Sequence, residues 1–313
     1  MRSLLPLLLV TLLCTCARAQ QVPLLTEQLG YPTGTKLLIV HADDLAVTHS
    51  TNVASMDALE RGTVSSASVM APCPWLPEVA EYARANPNHD LGMHLTLTSE
   101  WRLLRWGPVA PAGQVPSLID SAGYFYPRCE GMLANARPEE VEIELRAQVE
   151  RARELGLNPT HLDSHMGCLF RDERLFEAYL RVARDYGIPA MVGRNEAAGR
   201  GAEYTKSIKP DDLVVDRVLT AVPGDYTRGM ESFYRTLLDQ LEPGVSVVLI
   251  HTALDGLESE GMAGGIEGWG NRWRQLDYNF FTSAAAREQL EREGIQLMTW
   301  RELAERWQNR GQR

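Results

Sequence analysis

Asp43 and Asp44 stand side by side at the end of an apolar run, in the stretch LLIVHADDLAV that spans residues 37–47. Two adjacent ionised carboxylates repel each other, so they persist together only where solvent, a cation or a shared proton relieves them. Similar polar residues recur in three later stretches: His94 in LGMHLTLT, His161, Asp163 and His165 in THLDSHM, and His251 in LIHTALD. Of the seven histidines, five (these four and His41) fall in or at the end of strand-like runs. Neutral imidazoles with one carboxylate make a three-ligand divalent-metal site that keeps positions open for water. Such an ion neutralises one aspartate and leaves the other free to move a proton. In an extended strand, a period of two puts His161, Asp163 and His165 on one face, so that one binds the ion while its neighbours fix ring tautomers.

The elements that must position these residues are legible as short β-branched runs alternating with longer amphipathic ones. Strand-like runs occupy residues 36–43, 64–72, 91–98, 160–166, 189–192, 244–252 and 295–300. Helical patterns fill residues 137–156 and 172–187; the first has Pro138 near its start, acidic residues in its first turn and Gly156 at its end, and the second ends at Gly187. Strand then helix, repeated, argues parallel strands with crossover helices, hence a (β/α) barrel or a doubly wound sheet. In both, strand carboxyl ends converge on one rim, where chemistry is built. Residues 101–136, rich in Gly, Pro and aromatics, read as a long functional loop. The glycine-rich run GMAGGIEGWG, residues 261–270, matches no phosphate-binding or dinucleotide spacing and reads as a flexible loop.

Residues 1–19 carry an early arginine, about a dozen apolar residues and Ala17-Arg18-Ala19, the pattern of a secretory leader with its cleavage site. A lipoprotein reading through Cys16 is weaker, because Thr15 precedes it. The expected domains are therefore a leader over 1–19 and one α/β domain over 20–313, delivered to the periplasm or the exterior. No later segment is apolar for long enough to be a membrane helix. Cys73, Cys129 and Cys168 remain after the leader, an odd number without metal-type spacing, so one disulfide is allowed but no disulfide framework. Cys168 reads as a small buried hydrophobe. Loss of Arg2 and Arg18 with the leader takes the formal charge from −10 to −12, and no basic tract stands out. Nucleic acid and anionic membrane are poor partners for such a surface.

The ordered set HADD, ALERGTVSSASVM, LGMHLTLT and THLDSH resembles the YdjC-like carbohydrate deacetylases, relatives of the wider polysaccharide deacetylases. The resemblance covers about residues 36–190 well and the remainder loosely. It implies a distorted (β/α) barrel and metal-dependent hydrolysis of an N-acetyl group from an acetylated sugar. By motif, it implies Asp44, His94 and His165 as metal ligands and Asp43 as catalytic base, with His251 as general acid. Many relatives carry a further histidine two positions beyond the one matching His165, where this chain reads Met166-Gly167-Cys168. Relatives also often place a proline after the late-strand histidine, where this chain has Thr252.

Asp163 and His161 fit outer positions that support the ligands, and His41 fits a place packed beneath the site. Trp101, Trp106, Tyr124 and Tyr126 offer amphipathic faces that suit the apolar side of a pyranose. Packing of the long loop onto the barrel is an equal alternative for them. One divalent ion is expected: two imidazoles favour zinc, cobalt or nickel, whereas the carboxylate and open water positions suit magnesium or manganese. The rival functions are a metal-dependent hydrolase of another amide or ester, and a secreted carbohydrate-binding protein without catalysis. The leader reading is checked by N-terminal mass spectrometry of secreted protein, which should find a chain beginning at Gln20 without lipid. A lipidated Cys16 overturns it.

Overall fold

β1 (Lys36–Leu45) is buried along nearly its whole length, as a central strand of a parallel sheet must be. Its alternation is the organising pattern of the molecule. Leu38, Val40 and Ala42 join the large apolar cluster that includes Ala58, Leu59, Phe280 and Phe281 of flanking helices. Leu37 and Ile39 point the other way, into a second cluster with Val215, Val245, Val247 and Trp300.

The computed structural model describes residues 22–266 and 268–310; the leader assigned to residues 1–19 lies outside them. Six further strands follow: β2 (Ser66–Val69), β3 (Leu91–Leu95), β4 (Leu162–Ser164), β5 (Arg217–Thr220), β6 (Gly244–His251) and β7 (Ile295–Leu297). Every strand pair is parallel, in the order β4-β3-β2-β1-β6-β5. β7 pairs only with Lys36–Leu38, ahead of His41, where β2 begins its own pairing with β1. Isolated parallel bridges, Leu162 with Ala190 and Gly193 with Val215, carry contacts from β4 round toward β5. The curled sheet is thus a distorted (β/α) barrel in one domain, with helices on its outside. Among the described residues no helix is long and apolar enough to cross a membrane.

The two helices with clear start and stop signals form over Pro138–Glu154 and Glu173–Tyr186, the second capped by the Asp172 carboxylate and closed by Gly187 at φ 66°. Two strand expectations change. Residues 189–192 contribute only the bridge at Ala190. β5 was not anticipated, because only one of its four residues, Val218, is buried and its alternation is correspondingly faint. Residues 101–136 form a packed lobe with two 3₁₀ turns and the helix Cys129–Asn135, and Val115, Leu118, Phe125 and Met132 fill its interior.

Inside the barrel the inward-facing residues change character along each strand. β1 runs from Leu37 and Ile39 to His41 and Asp43; β6 runs from Val245 and Val247 to His251. The lower lumen is therefore apolar and the carboxyl rim ionisable. Between these zones lies a layer of rings, with His161 stacked on Trp300 at 5.2 Å and edge-on to His41 at 4.8 Å. This layer fits only because residue 92 is glycine: a Cβ there would lie 2.3 Å from the buried His161 ring. Gly92→Ala should overpack the layer by about 1–3 kcal/mol. At about 2–4 °C per kcal/mol, calorimetry should record a Tm lower by about 2–12 °C. An unchanged Tm would show that the ring layer is loose.

Candidate active site and metal centre

Strand register places most of the site. Asp43 lies opposite His251 across β1 and β6, and His94 lies opposite Asp163 across β3 and β4. Asp44 needs another device, since strict alternation would turn it away from Asp43. The β1–β2 register shifts between Ala42 and Leu45, and Asp44 takes a left-handed backbone at φ 69°. That conformation costs a non-glycine residue about 1–2 kcal/mol, although aspartate tolerates it better than most. The distortion brings both carboxylates to one cavity, where both residues are buried.

Three donor atoms converge there. Asp44 Oδ1 lies 3.3 Å from His94 Nε2 and 3.3 Å from His165 Nδ1, and the two nitrogens are 3.1 Å apart. Donors about 2.0–2.2 Å from one divalent ion sit about 3.0–3.5 Å from each other, so this triangle fits a metal. Buried Asp44 Oδ1 also accepts no hydrogen bond from the protein, which leaves a lone pair aimed at the same point. Each ring is held by a different carboxylate: His94 Nδ1 lies 2.8 Å from Asp163 Oδ1, and His165 Nε2 lies 3.0 Å from Glu100 Oε2. Donating those N–H groups leaves the facing nitrogens as acceptors, the tautomers a metal requires.

The electrostatics are those of a pocket built for positive charge. Burial opposes the charged forms of Asp44, His94 and His165, but their partners outweigh it. The Arg274 guanidinium, 2.6 Å from Asp44 Oδ2, acts with the His165 and His94 rings to hold the Asp44 carboxyl well below the usual carboxylate range. Asp163 and Asp43 raise His94 well above an ordinary imidazole, and Glu100 and Asp44 raise His165 to about 9. A cation entering the triangle replaces the protons that these carboxylates otherwise hold on the rings.

Asp43 lies beside this triangle. Its Oδ1 is 3.1 Å from His41 Nε2, and its Oδ2 is 3.8 Å from His251 Nε2. His41 Nε2 also reaches Asp163 Oδ2 at 3.0 Å and Ser68 Oγ at 3.1 Å, so His41 sits beneath the site as a bridge between two carboxylates. Against the cost of burial, those carboxylates raise its pKa to about 9. Burial pushes His251 down, leaving it uncharged, and its backbone N–H donates to Asp277 Oδ2 at 2.9 Å. His161 lies one layer lower and burial drives it well below the ordinary value. Two other groups of potential ligands, His41–His161–Asp163 and Asp43–His94–Asp163, share Asp163, whose oxygens already bond His41 Nε2 and His94 Nδ1.

Several sequence expectations shift in placement. His165 does not lie on a strand face with His161 and Asp163: β4 ends at Ser164, and His165 reaches the site as the first residue of the 3₁₀ segment His165–Phe170. Trp106 is 3% exposed and its indole N–H donates to the Thr98 carbonyl, so it packs the lobe and offers no face to a sugar. Trp101 is equally buried, with the Arg274 guanidinium 5.5 Å from its ring, whereas Tyr124 is exposed and pairs with Arg105. Cys168 is not a free hydrophobe but is disulfide-bonded to Cys129, tying the lobe to the segment after His165. Sequence reasoning missed Glu100 and Arg274. Glu100 follows LGMHLTLTS by one position and was within reach of a motif argument; Arg274 lies 230 residues from Asp44 and carried no local signal.

Fold and site together define the class: a one-domain α/β protein whose curled parallel sheet carries a histidine–aspartate centre suited to a divalent cation. The chain belongs to the YdjC-like protein family, which matches residues 37–292. It is 33% identical over 292 residues to a carbohydrate deacetylase of Thermus thermophilus, covering 90% of this chain and 98% of that one. A carbohydrate deacetylase of Brevibacillus brevis is 28% identical over 276 residues, covering 85% and 99%. An Enterococcus faecalis crystal structure, of a protein whose suggested role is cellobiose-phosphate cleavage, matches with a TM-score of 0.70 at 26% identity, over 85% of this chain and 98% of that one.

Glu100 supplies a test of the geometry. Removing an outer carboxylate that fixes a ligating histidine typically costs 10–100-fold in metal affinity. Glu100→Ala should therefore weaken divalent-metal binding by about that factor in a chelator competition, with the fold retained. Unchanged affinity would mean that His165 is not a ligand.

Proposed function

We propose that this protein is a metal-dependent carbohydrate deacetylase that hydrolyses the N-acetyl group of an amino sugar or oligosaccharide. The observation that carries the reading is the buried lone pair of Asp44 Oδ1 facing two imidazole nitrogens, beside a second carboxylate that is not one of the three donors. Family membership and relatives named carbohydrate deacetylase support the substrate class.

Asp44, His94 and His165 would hold the ion. When bound, a divalent metal lowers the pKa of water and polarises an acyl oxygen, and zinc and magnesium are the leading candidates. Asp43 then works as general base on the attacking water. His251 is uncharged at rest and its Nε2 faces Asp43 Oδ2 across 3.8 Å, so a proton gained by Asp43 has His251 as its relay to the departing amine. The C–N bond breaks as a C–O bond to water forms: one water proton passes to the amine, and the acetic acid released loses its own proton to become acetate; no covalent intermediate is required. Arg274 keeps Asp44 ionised, and Asp163 holds His94 and His41 in place. For localisation, the proposal is the periplasm or exterior; a disulfide such as Cys129–Cys168 persists in oxidising compartments, which supports it.

Acetate release from a panel of N-acetylated sugars and simple acetate esters tests the activity. Release from esters alone would reassign the chain as an esterase, and no release from either would leave a binding protein. Adjacent residues then separate the roles. Asp43→Asn should keep the metal and lower kcat by about 10²–10⁴-fold, because an amide cannot take the proton. Asp44→Asn should lose metal, since it removes the sole anionic ligand. The reverse pattern would exchange the two assignments, and full activity in both would end the mechanism.

A further inference from the structure

We propose that the indole of Trp269 is the platform on which the substrate's sugar ring stacks, an inference that rests on the deacetylase reading and extends it to a binding residue. The described residues include four non-glycine positions with positive φ: Asp44, Ala46, Met166 and Trp269. Asp44 is a proposed ligand, Ala46 follows it in the same turn, and Met166 follows His165. Trp269, at φ 56°, is the fourth, and a bulky residue is held in that backbone only where its surroundings demand it.

Its surroundings tie it to both arms of the site. The Trp269 carbonyl accepts from Arg274 Nε at 2.8 Å, while the same guanidinium donates to Asp44 Oδ2 at 2.6 Å. The ring lies on Trp273 at 5.2 Å with an interplanar angle of 24°. Trp273 is buried, stacks in turn on Tyr226, and donates its indole N–H to Asp277 Oδ2, the atom that also receives the His251 backbone N–H. Trp269 thus crowns an aromatic stack anchored to His251 on one side and, through its own carbonyl, to Asp44 on the other. Trp273 covers one face of the ring, and Trp269 still has 37% of its surface exposed.

The chemistry of that surface selects its ligand. A rigid aromatic surface at the mouth of a charged pocket suits a pyranose, whose axial C–H groups pack on a π-face while its hydroxyls stay wet. Trp101 and Trp106, at 3% exposure, have no such face. Trp75 is as exposed as Trp269, but its ring lies on the surface pair His49–Glu78 and not on a residue bonded to the site.

The test uses the full zinc-loaded chain with N,N′-diacetylchitobiose, in wild type, Trp269→Ala and Trp269→Phe. Because the carbonyl and not the ring holds Arg274, the alanine variant should keep its zinc affinity. It should raise KM about tenfold, the worth of one aromatic stacking contact, and change kcat less than twofold; phenylalanine should recover most of the loss. Calorimetric binding of the same disaccharide should weaken by a similar factor. Unchanged KM and binding in Trp269→Ala overturns the proposal, as does a fall in kcat and zinc affinity at constant KM, which marks a structural role. A wild type that binds the disaccharide but releases no acetate defeats the deacetylase reading alone, and binding that weakens in the alanine variant still upholds the platform. A wild type that neither binds nor turns over the disaccharide overturns both.

Discussion

Two buried carboxylates in consecutive positions form the constraint on which the rest of the site depends. Asp43 and Asp44 repel across a medium that screens poorly, and each is given its own counter-charges. Asp44 has Arg274, His94 and His165; Asp43 has His41 and, at longer range, His251. The left-handed turn at Asp44 makes this division geometrically possible, because it aims a second carboxylate into the lumen without giving both the same neighbours. In the proposed mechanism an ion in the Asp44 triangle would complete the compensation and leave Asp43 outside its ligand set.

The barrel does more than deliver these residues to one rim. Its lumen grades from Leu37, Ile39, Val245 and Val247, through the His161–Trp300 stack, to the ionisable top. The apolar floor offers the charges no polar partner from below, so they must satisfy one another. Asp163 is the clearest consequence: held below the usual carboxylate range by His94 and His41 against the cost of its burial, it accepts from both rings and from Ser68. One side chain therefore fixes both the His94 ring and the His41 ring that lies against Asp43.

Much of this arrangement was legible in the sequence, for a physical reason. Strand-end polar residues interrupt apolar runs, and HADD, LGMHL, THLDSH and LIH all do so visibly. Strand–helix alternation pointed to a parallel α/β sheet and left barrel and doubly wound sheet both open; the resemblance to the YdjC-like family implied the barrel. What stayed hidden depends on backbone geometry or on distance along the chain. A period of two cannot announce the left-handed Asp44, or that β4 stops one residue before His165. Trp269 lies in a stretch whose glycines spoke only of flexibility, Arg274 just beyond it carried no local signal, and three cysteines did not say which two would pair.

The central claim is that Asp44, His94 and His165 bind one divalent ion. Crystals of the zinc-treated protein, measured on both sides of the zinc absorption edge, test it without reference to turnover. The account predicts a single anomalous peak per chain about 2.0–2.2 Å from Asp44 Oδ1, His94 Nε2 and His165 Nδ1. A peak between Asp43 and Asp163, or none at the rim in a crystal that holds zinc elsewhere, would contradict it.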